Sequence, residues 1–388
     1  MAPLRIFLVA GEPSGDALGA RLMAALREVA GPDHVVFSGV GGDAMTAQGL
    51  ESLFPMNELA VMGLMEVLPH ARRLLRRIRE TAAAADAWRP DIIVTIDSPS
   101  FANRFVSRLQ CRGVPKVHYV APSVWAWRPG RVHKFKRNFD HILALLPFEP
   151  PYFEAVGLPC HFVGHPVLEY GADRGDGKRF RQKHGIAAER PVIAVMPGSR
   201  RGEVSRLVVP FGQTLGLLSA RWPDLTAVVA TVSNVADLVR ASVERWPVPT
   251  VVVSGADEKY DAMAASNIGL AASGTVALEL TLAGVPSAIA YRVSPITATI
   301  VRHLARVKYA NLVNLLLDRP VIPELLQERC TPALMAATLG ELMGEAGALQ
   351  LEAARPALQA LGQDGPPPSV RAAMRLLDIA GRGARSTG

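Results

Sequence analysis

Residues 4–16 read LRIFLVAGEPSGD, a short apolar run that leads directly into a loop of small residues. An apolar run without polar alternation is typical of a strand that is buried on both faces of a parallel sheet. Beyond the loop, apolar residues recur at helical spacing as far as Gly31, which suits a helix end: Leu18, Leu22, Ala25, Leu26 and Val29. The stretch predicts a strand–loop–helix unit, and its apolar run is too short for a signal peptide.

The alternation of apolar strands and helical patterns continues along the chain in two halves. In the first half we predict strands at residues 5–10, 35–39, 92–96, 116–120 and 141–145. In the second half we predict strands at residues 192–196, 226–231, 250–253, 268–271 and 287–291. The polar stretch 169–190 between the halves contains several glycines and is the best candidate for a linker.

These patterns predict an α/β protein with two Rossmann-like doubly wound domains that face a cleft. We expect the first domain at residues 1–168 and the second at residues 190–345. C-terminal helices, the last at about 370–380, and a basic tail are expected at residues 346–388. In such sheets ligands bind beyond the carboxyl ends of the strands, so the loops that follow strands are the places to look for functional residues.

The composition is that of a folded protein: 49% of the 388 residues are hydrophobic and 20% are charged, which excludes a largely disordered chain. Lys and Arg number 42 against 35 Asp and Glu, an excess that suits phosphates, nucleotides, an acidic membrane surface or nucleic acid. No apolar stretch of about 18 residues occurs, so a membrane-spanning helix is not expected. Cys111, Cys160 and Cys330 form no paired pattern, which favours a reducing, cytoplasmic compartment.

Two glycine-containing loops follow the first two predicted strands. The loop 11–16 offers Gly11, Glu12, Ser14, Gly15 and Asp16 as residues that line the cleft. Taken by itself, the loop favours a tight turn with Ser14 or Asp16 as a helix cap, because caps are commoner than binding sites. The loop 39–44, GVGGDA, matches a dinucleotide-binding fingerprint. Because it follows the second strand and lacks a clear acidic partner, a glycine-rich turn at the cleft is favoured over an NAD site.

Asp97 ends the apolar strand 92–96 and is followed by Ser98 and Pro99. A carboxylate at a strand end faces the crevice and can act as a general base if it reaches a substrate hydroxyl. A helix cap or turn aspartate is an equally good interpretation of the same position.

Two loops in the second half have the character of anion sites. The loop 196–203 combines small residues with two arginines before a helix, so Gly198, Ser199, Arg200 and Arg201 are candidates for binding a diphosphate. The loop 272–279 opens another helix with Ser273, Gly274 and Thr275, and Glu279 lies one turn further on, where it could bind a ribose diol. The alternatives are a solvated arginine loop and a capped helix with an exposed Glu279.

Several common sites are missing from the sequence. It contains no Walker-type loop, no H-E-x-x-H motif and no Asp-x-Asp motif that could hold a metal-bridged diphosphate. Cys160, His161 and His165 lie close together but lack a second ligand pair, so zinc is not favoured. We therefore expect neither a metal nor another cofactor.

An apolar stretch lies beside an arginine cluster at residues 59–79. Pro69 is predicted to begin a helix that extends to Trp88. A membrane-interface contact and two core segments with a solvated basic face explain this pattern equally well. The membrane interpretation uses these residues: Met62, Leu64, Met65, Val67, Leu68, Arg72, Arg73 and Arg76.

Taken together, these motifs resemble the lipid-A-disaccharide synthase family over nearly the whole chain. The motifs are AGEPSGD (10–16), GVGG (39–42), MGLMEVL (62–68), IDSPSF (96–101), YVAPSVWAWRPGR (119–131), LPFEPPYF (146–153), FVGHP (162–166), PGSR (197–200), SGTVALEL (273–280), NLVNLL (311–316) and PELLQ (323–327). The resemblance implies a B-type glycosyltransferase fold. It also implies inverting transfer of 2,3-diacylglucosamine from UDP to the 6-hydroxyl of 2,3-diacylglucosamine 1-phosphate (lipid X). The products would be a β-1′,6-linked tetraacyl disaccharide phosphate and UDP.

The resemblance also implies roles for individual residues. Asp97 would be the base, and Arg200, Arg201 and the helix start at 273–275 would stabilise the diphosphate. Glu279 would hold the ribose, Asn314 in NLVNLL would contact donor or acceptor, and Ser14 and Asp16 would line the cleft. Ser100 departs from the family, where an acidic residue is often found, so Asp97 is the only carboxylate of its loop.

As partners the resemblance implies UDP-2,3-diacylglucosamine, lipid X and the anionic cytoplasmic face of the inner membrane, with a homodimer that exchanges C-terminal elements. The closest rival enzyme is a UDP-N-acetylglucosamine 2-epimerase, which has the same two-domain fold. The rival from another class is a noncatalytic nucleic-acid-binding module. The low aromatic content of 6% and the lack of a stacking motif disfavour that module, and no nucleic-acid partner is expected.

Overall fold

The computed structural model describes residues 2–59, 64–126, 129–272, 274–294 and 307–381, with the backbone alone for residues 64–71. The chain divides into two compact units. One unit comprises Met1–Pro166 and Asp364–Gly388, and the other comprises Val167–Gln363. No described helix is long and apolar enough to cross a membrane.

The first unit is built around a parallel sheet with the strand order β2-β1-β3-β4-β5-β6. The strand β3 is completely buried, as its run of Ile and Val predicts. The elements in chain order are β1 (Leu4–Ala10), α1 (Pro13–Ala30), β2 (Val35–Val40), α2 (Asp43–Ala47), α3 (Leu64–Trp88), β3 (Ile92–Ile96), α4 (Pro99–Val106), β4 (Lys116–Tyr119), α5 (Arg131–Asn138), β5 (His141–Ala144), α6 (Pro150–Glu154) and β6 (Cys160–Phe162).

The second unit contains a parallel sheet with the order β12-β11-β10-β7-β8-β9. Its elements are α7 (Gly177–Lys183), β7 (Val192–Met196), α8 (Arg201–Ser219), β8 (Thr226–Thr231), α9 (Ala236–Val243), β9 (Thr250–Ser254), α10 (Ala256–Ala264), β10 (Ile268–Ala271), α11 (Gly274–Leu282), β11 (Ser287–Tyr291), α12 (Leu312–Leu317), β12 (Glu324–Leu326), α13 (Pro332–Leu342) and α14 (Glu345–Ala360). The last described helix, α15 (Pro368–Ile379), packs against α1 and belongs to the first unit.

The prediction of two doubly wound α/β sheets is confirmed. Every predicted strand is present, with its ends within one residue of the prediction. The short strands β6 and β12 were not predicted. The stretch 169–190 is folded rather than a plain linker, because it contains α7, the buried Phe180 and an Arg179 guanidinium that pairs with Asp261 at 2.6 Å. The segment 346–388, set apart in the sequence analysis, is divided between the two units.

The strand orders determine where each sheet has its switch point, the crevice between neighbouring strands whose connections run in opposite directions. In the first sheet the chain passes from β1 to β2 on one side, and from β3 through β4 and β5 to β6 on the other side. The loops after β1 and β3 therefore flank the switch point. In the second sheet the corresponding strands are β7 and β10. The loops predicted to carry functional residues, at Gly11, Asp97, Gly198 and Gly274, follow these four strands.

Candidate functional site

In the first unit the loops after β1 and β3 are in direct contact. The Ser14 hydroxyl donates a hydrogen bond to Asp97 Oδ2 at 3.4 Å. A Cβ atom on Gly11 would lie 2.5 Å from Ser98 Oγ, and one on Gly15 would lie 3.3 Å from the Ile96 carbonyl oxygen. The two glycines therefore allow the loops to approach each other, so that Ser14 and Asp97, each predicted to face the crevice, are in contact.

Asp97 and Ser98 have left-handed backbone conformations, with φ angles of +55° and +44°. Such angles are uncommon for residues other than glycine, and backbone strain of this kind is concentrated at functional sites. Asp97 Oδ1 accepts a hydrogen bond from the Ser98 amide at 2.7 Å, while the side chain stays partly exposed. Asp97 thus makes the local hydrogen bond expected of a turn aspartate, and its carboxylate is also accessible to a ligand.

Asp16 is buried, and its carboxylate is used within the protein. Its oxygens accept hydrogen bonds from the backbone amides of Gly42 (2.8 Å), Ala44 (2.9 Å) and Met45 (3.0 Å). Asp16 therefore caps the start of α2, a different helix from the one it belongs to. The cap interpretation suits Asp16 better than direct contact with a ligand, whereas Ser14 is exposed.

In the second unit the carboxylate of Glu203 organises the loop between β7 and α8. Glu203 Oε2 accepts a hydrogen bond from the Arg200 amide at 3.3 Å, and Oε1 lies 3.1 Å from the Arg200 guanidinium and 3.0 Å from the Tyr291 hydroxyl. Gly198 has a φ angle of +107°, and a Cβ atom there would lie 2.7 Å from Glu203 Oε2. This role of Glu203 was not predicted, although an acidic residue at the third helix position is a known capping signal.

The arginines of this loop are exposed, although the Arg200 guanidinium also pairs with Glu203. The side chain of Arg200 is 68% exposed, and Arg201 at the first position of α8 is exposed as well. Ser199 is fixed from the other side because its carbonyl oxygen accepts a hydrogen bond from Asn234 Nδ2 at 2.9 Å. Two guanidinium groups at a helix N-terminus form an arrangement that favours a diphosphate.

In the loop after β10, Ser273 lies outside the described residues. A Cβ atom on Gly274 would lie 2.7 Å from the Ala310 carbonyl oxygen, so glycine allows α11 to begin against that segment. Thr275 is exposed at the first turn of α11.

Glu279 is buried in α11 and forms an ion pair. Its Oε1 atom lies 2.8 Å from Lys259 Nζ and accepts a hydrogen bond from the Tyr260 hydroxyl at 3.2 Å. Neither partner was predicted, because they lie on α10, 20 and 19 residues away in sequence. The alternative of an exposed Glu279 is wrong.

Asn314 is completely buried, and both ends of its amide are satisfied inside the protein. Its Nδ2 donates to the Ile322 carbonyl oxygen at 2.8 Å, and its Oδ1 accepts from the Ile322 amide at 2.8 Å. The neighbouring Glu324 carboxylate accepts hydrogen bonds from the Ala310 and Asn311 amides, each at 2.9 Å. This arrangement does not suit the direct substrate contact expected for Asn314, which instead holds the turn between α12 and β12.

The arginine-rich helix α3 begins at Leu64, before Pro69 rather than at it. Met62 and the side chains of Leu64, Met65, Val67 and Leu68 lie outside the described residues. Arg72, Arg73 and Arg76 are exposed. Arg77 differs from them, because its guanidinium pairs with Glu58 at 2.7 Å and lies over the Phe54 ring at 4.5 Å.

Within the described ranges no three His, Cys, Asp or Glu side chains come together as metal ligands. Burial raises the pKa of Cys160 and lowers the pKa of His165 to about 4. These two groups therefore behave as buried core residues at neutral pH.

Comparison with known proteins relates the chain to one family. The family model described as lipid-A-disaccharide synthetase matches residues 6–355. A lipid-A-disaccharide synthase of Rhodospirillum centenum is 55% identical over 98% of this chain and 95% of its own length. Another, from Paramagnetospirillum magneticum, is 50% identical over 97% of this chain and 98% of its own length.

Solved structures share the fold at low sequence identity. The glycotransferase of kitacinnamycin has a TM-score of 0.63 and 18% identity, with 97% of this chain and 99% of that chain covered. The UDP-GlcNAc 2-epimerase from Neisseria meningitidis, bound to UDP-GlcNAc, has a TM-score of 0.61 and 11% identity, with 97% and 99% covered. At such identities the likeness concerns the fold alone.

Proposed function

The chain belongs to the lipid-A-disaccharide synthetase family, and we propose from this premise how its two units share the reaction. It is a lipid-A-disaccharide synthase, a UDP-sugar-dependent glycosyltransferase with the GT-B fold. Its donor is UDP-2,3-diacylglucosamine and its acceptor is lipid X. The first unit, which includes most of the predicted domain 1–168, binds the acceptor. The second unit, which includes the predicted domain 190–345, binds the donor.

The proposal for the acceptor rests on the position of Asp97 at the switch point of the first sheet. Its carboxylate is partly exposed beside the exposed Ser14 hydroxyl. Asp97 takes the proton of the acceptor 6-hydroxyl while that oxygen forms a bond to the anomeric carbon of the donor. The bond from this carbon to the diphosphate breaks, and UDP leaves with the electron pair. The loop between β1 and α1 contacts the acceptor through Gly11, Glu12, Ser14 and Gly15. Asp16 stabilises the shape of this loop.

The donor side uses the switch point of the second sheet. Arg200 and Arg201, with the backbone at Gly198 and Ser199, compensate the negative charge that develops on the leaving diphosphate. The start of α11 at residues 273–275 provides further amide groups. Glu279 binds the ribose through Oε2, since Oε1 is already used by Lys259 and Tyr260. Asn314 is a positioning residue for the segment that packs against Gly274.

The basic helix α3 is the proposed contact with an anionic membrane, where lipid substrates are found. Its exposed Arg72, Arg73 and Arg76 follow the apolar residues Met62, Leu64, Met65, Val67 and Leu68 in sequence. Guanidinium groups beside apolar side chains favour a surface-bound position at the interface of acidic lipids. The proposed location is the cytoplasmic face of the inner membrane, with the enzyme as a peripheral protein.

A homodimer that exchanges C-terminal elements is also proposed. The helix α15 follows the whole second unit in sequence and packs against α1 of the first unit. The same apolar contacts can be made by α15 of a second copy, which makes exchange possible at a low energetic cost.

The experiment is an assay of disaccharide formation from UDP-2,3-diacylglucosamine and lipid X. Asp97→Asn should lower kcat by about a hundredfold or more, because general base catalysis is lost, while the Kd for UDP stays within about twofold. The control is Asp33→Asn, an exposed carboxylate of the same unit. Near-normal turnover in Asp97→Asn would refute the base assignment. Conversion of a UDP-sugar without lipid X would indicate the epimerase instead.

A further inference from the structure

A pocket of about 740 Å³ lies beside the loop that carries Ser14. One side is formed by Pro13 and Asp16 at the start of α1, and the other side by residues between Gly41 and Asn57. This volume is in the range of pockets that bind small molecules. Pro13 and Asp16 flank Ser14 in sequence, and Ser14 contacts Asp97, so the pocket lies beside the loop that also contacts the proposed base.

The polar side of the pocket is unfavourable for a phosphate. The backbone amides at the start of α2, which would otherwise attract an anion, already donate to the Asp16 carboxylate. Asp43 adds a second, exposed carboxylate to the lining. Two carboxylates repel a phosphate dianion, so the pocket selects an uncharged group.

The other side of the pocket is apolar. Leu53 is 42% exposed there, and Phe54, Pro55 and the half-buried Met56 continue the same wall. A Cβ atom on Gly42 would lie 2.6 Å from Asp16 Oδ2 and 2.9 Å from Met56 Cε, so both side chains cover this glycine. Exposed apolar side chains in a concave site favour an apolar ligand.

The apolar wall is held in place before any ligand binds. The Ser52 hydroxyl donates to the Phe54 carbonyl oxygen at 2.7 Å and accepts from the Gly41 amide at 3.2 Å. Arg77 of α3 stacks on Phe54 and binds both carboxylate oxygens of Glu58, at 2.9 and 2.7 Å. A preformed wall reduces the entropy that is lost when a flexible chain binds.

We propose that this pocket binds one acyl chain of the acceptor, and that Asp16 and Asp43 keep the acceptor phosphate out of it. The inference rests on the proposed function, since it assumes an acylated acceptor whose hydroxyl reaches Asp97. The acceptor has apolar chains and a single anionic group, and the pocket accepts the former and repels the latter. The pocket thereby determines the orientation of the bound acceptor when its hydroxyl is next to Asp97.

The test compares two acceptors, lipid X and an analogue in which both acyl groups are acetyl. Met56→Trp fills the pocket beside Gly42, so kcat/KM for lipid X should fall about tenfold more than kcat/KM for the short analogue. The KM for the UDP-sugar should not change. The matched control is Met374→Trp, in which the replaced methionine is 48% exposed on α15.

A second variant is available if Met56→Trp does not fold. Met56→Ala removes apolar contact, so kcat/KM for lipid X should fall by roughly threefold to tenfold, again more than for the analogue. The pocket assignment would be overturned if kcat/KM fell equally for both acceptors, or in neither variant, while the unaltered enzyme still formed disaccharide. Failure of the unaltered enzyme to form disaccharide would instead refute the proposed function.

Discussion

Glu149 shows how burial changes the chemistry of a single residue. It follows β5 in the motif LPFEPPYF and is only 3% exposed. Its carboxyl group accepts hydrogen bonds from Trp125 Nε1 and from the Leu145 and Leu146 amides, at 3.0 to 3.1 Å. Burial nevertheless dominates and raises the pKa of Glu149 to about 7. Glu149 thus connects the loops after β4 and β5 through a group that titrates near neutral pH.

This pKa predicts a pH dependence of stability. Between the ordinary pKa of about 4.3 and the folded value of about 7, the unfolded chain releases the proton of Glu149 while the folded chain keeps it. The free energy of unfolding should therefore fall as the pH rises through this window and level off above it. Glu149→Gln should remove this fall, measured as urea midpoints from pH 4.5 to 8. The exposed Glu154→Gln is the control, and an unchanged profile in Glu149→Gln would contradict the account.

At the level of residues, the sequence predicts positions better than contacts. A polar residue after a buried strand lies at the sheet edge whatever its side chain does, so the positions of Asp97 and Arg200 in the fold could be predicted from the pattern alone. The partners of Asp16 and Glu279 could not be found in this way. Asp16 binds the amide of Gly42, and Glu279 pairs with Lys259 on a neighbouring helix. These contacts depend on how helices pack, which leaves no local signal in the sequence.

At the level of elements, strands that are buried on both faces were the most readable. Continuous Val and Ile runs such as β3 and β7 have no other stable position than the middle of a parallel sheet. β6 and β12 escaped prediction because each has three residues and lies at the end of its sheet, too short for a pattern to register. Pro69 was misread as a helix start because proline is most common at the first helical turn.

The helix α3 allows the membrane proposal to be tested with arginines that differ in exposure. Changing Arg72, Arg73 and Arg76 to Gln removes three exposed charges, each worth about 1 kcal/mol at an acidic lipid surface. Binding to vesicles of phosphatidylglycerol and phosphatidylcholine should weaken by about tenfold or more, and binding to phosphatidylcholine alone should change little. Cosedimentation measures both.

A matched triple variant controls for net charge. Arg104, Arg108 and Arg112 are exposed residues of the same unit, outside α3, and their change to Gln has the same effect on charge. This triple should keep most of the binding. Equal losses in the two triples would mean that net charge, rather than α3, attracts the lipid. Arg77 is left out because its ion pair with Glu58 and its stacking on Phe54 hold the pocket wall.

At the level of the whole molecule, the course of the chain between the units was the least predictable feature. The chain leaves the first unit at Pro166 and returns to it at Asp364, after the complete second unit. The helical pattern of α15 predicts an apolar face but not the core that receives it. The helix α15 was therefore predicted together with the helices before it, although its buried side chains belong to the core around α1.

Because α15 packs in the first unit, a change in this C-terminal helix is expected to destabilise strands and helices near the N-terminus of the chain. Leu376 is fully buried in the core that also contains Leu22 and Leu26 of α1, so Leu376→Ala should cost about 2 to 5 kcal/mol there. Met374 on the same helix is 48% exposed, and Met374→Ala should cost less than about 0.5 kcal/mol. Hydrogen exchange should show faster opening of β1 and α1 in Leu376→Ala, and unchanged protection of β7 and β8. If β7 and β8 lost protection instead, the assignment of α15 to the first unit would be wrong, because a cavity first destabilises the core that contains it.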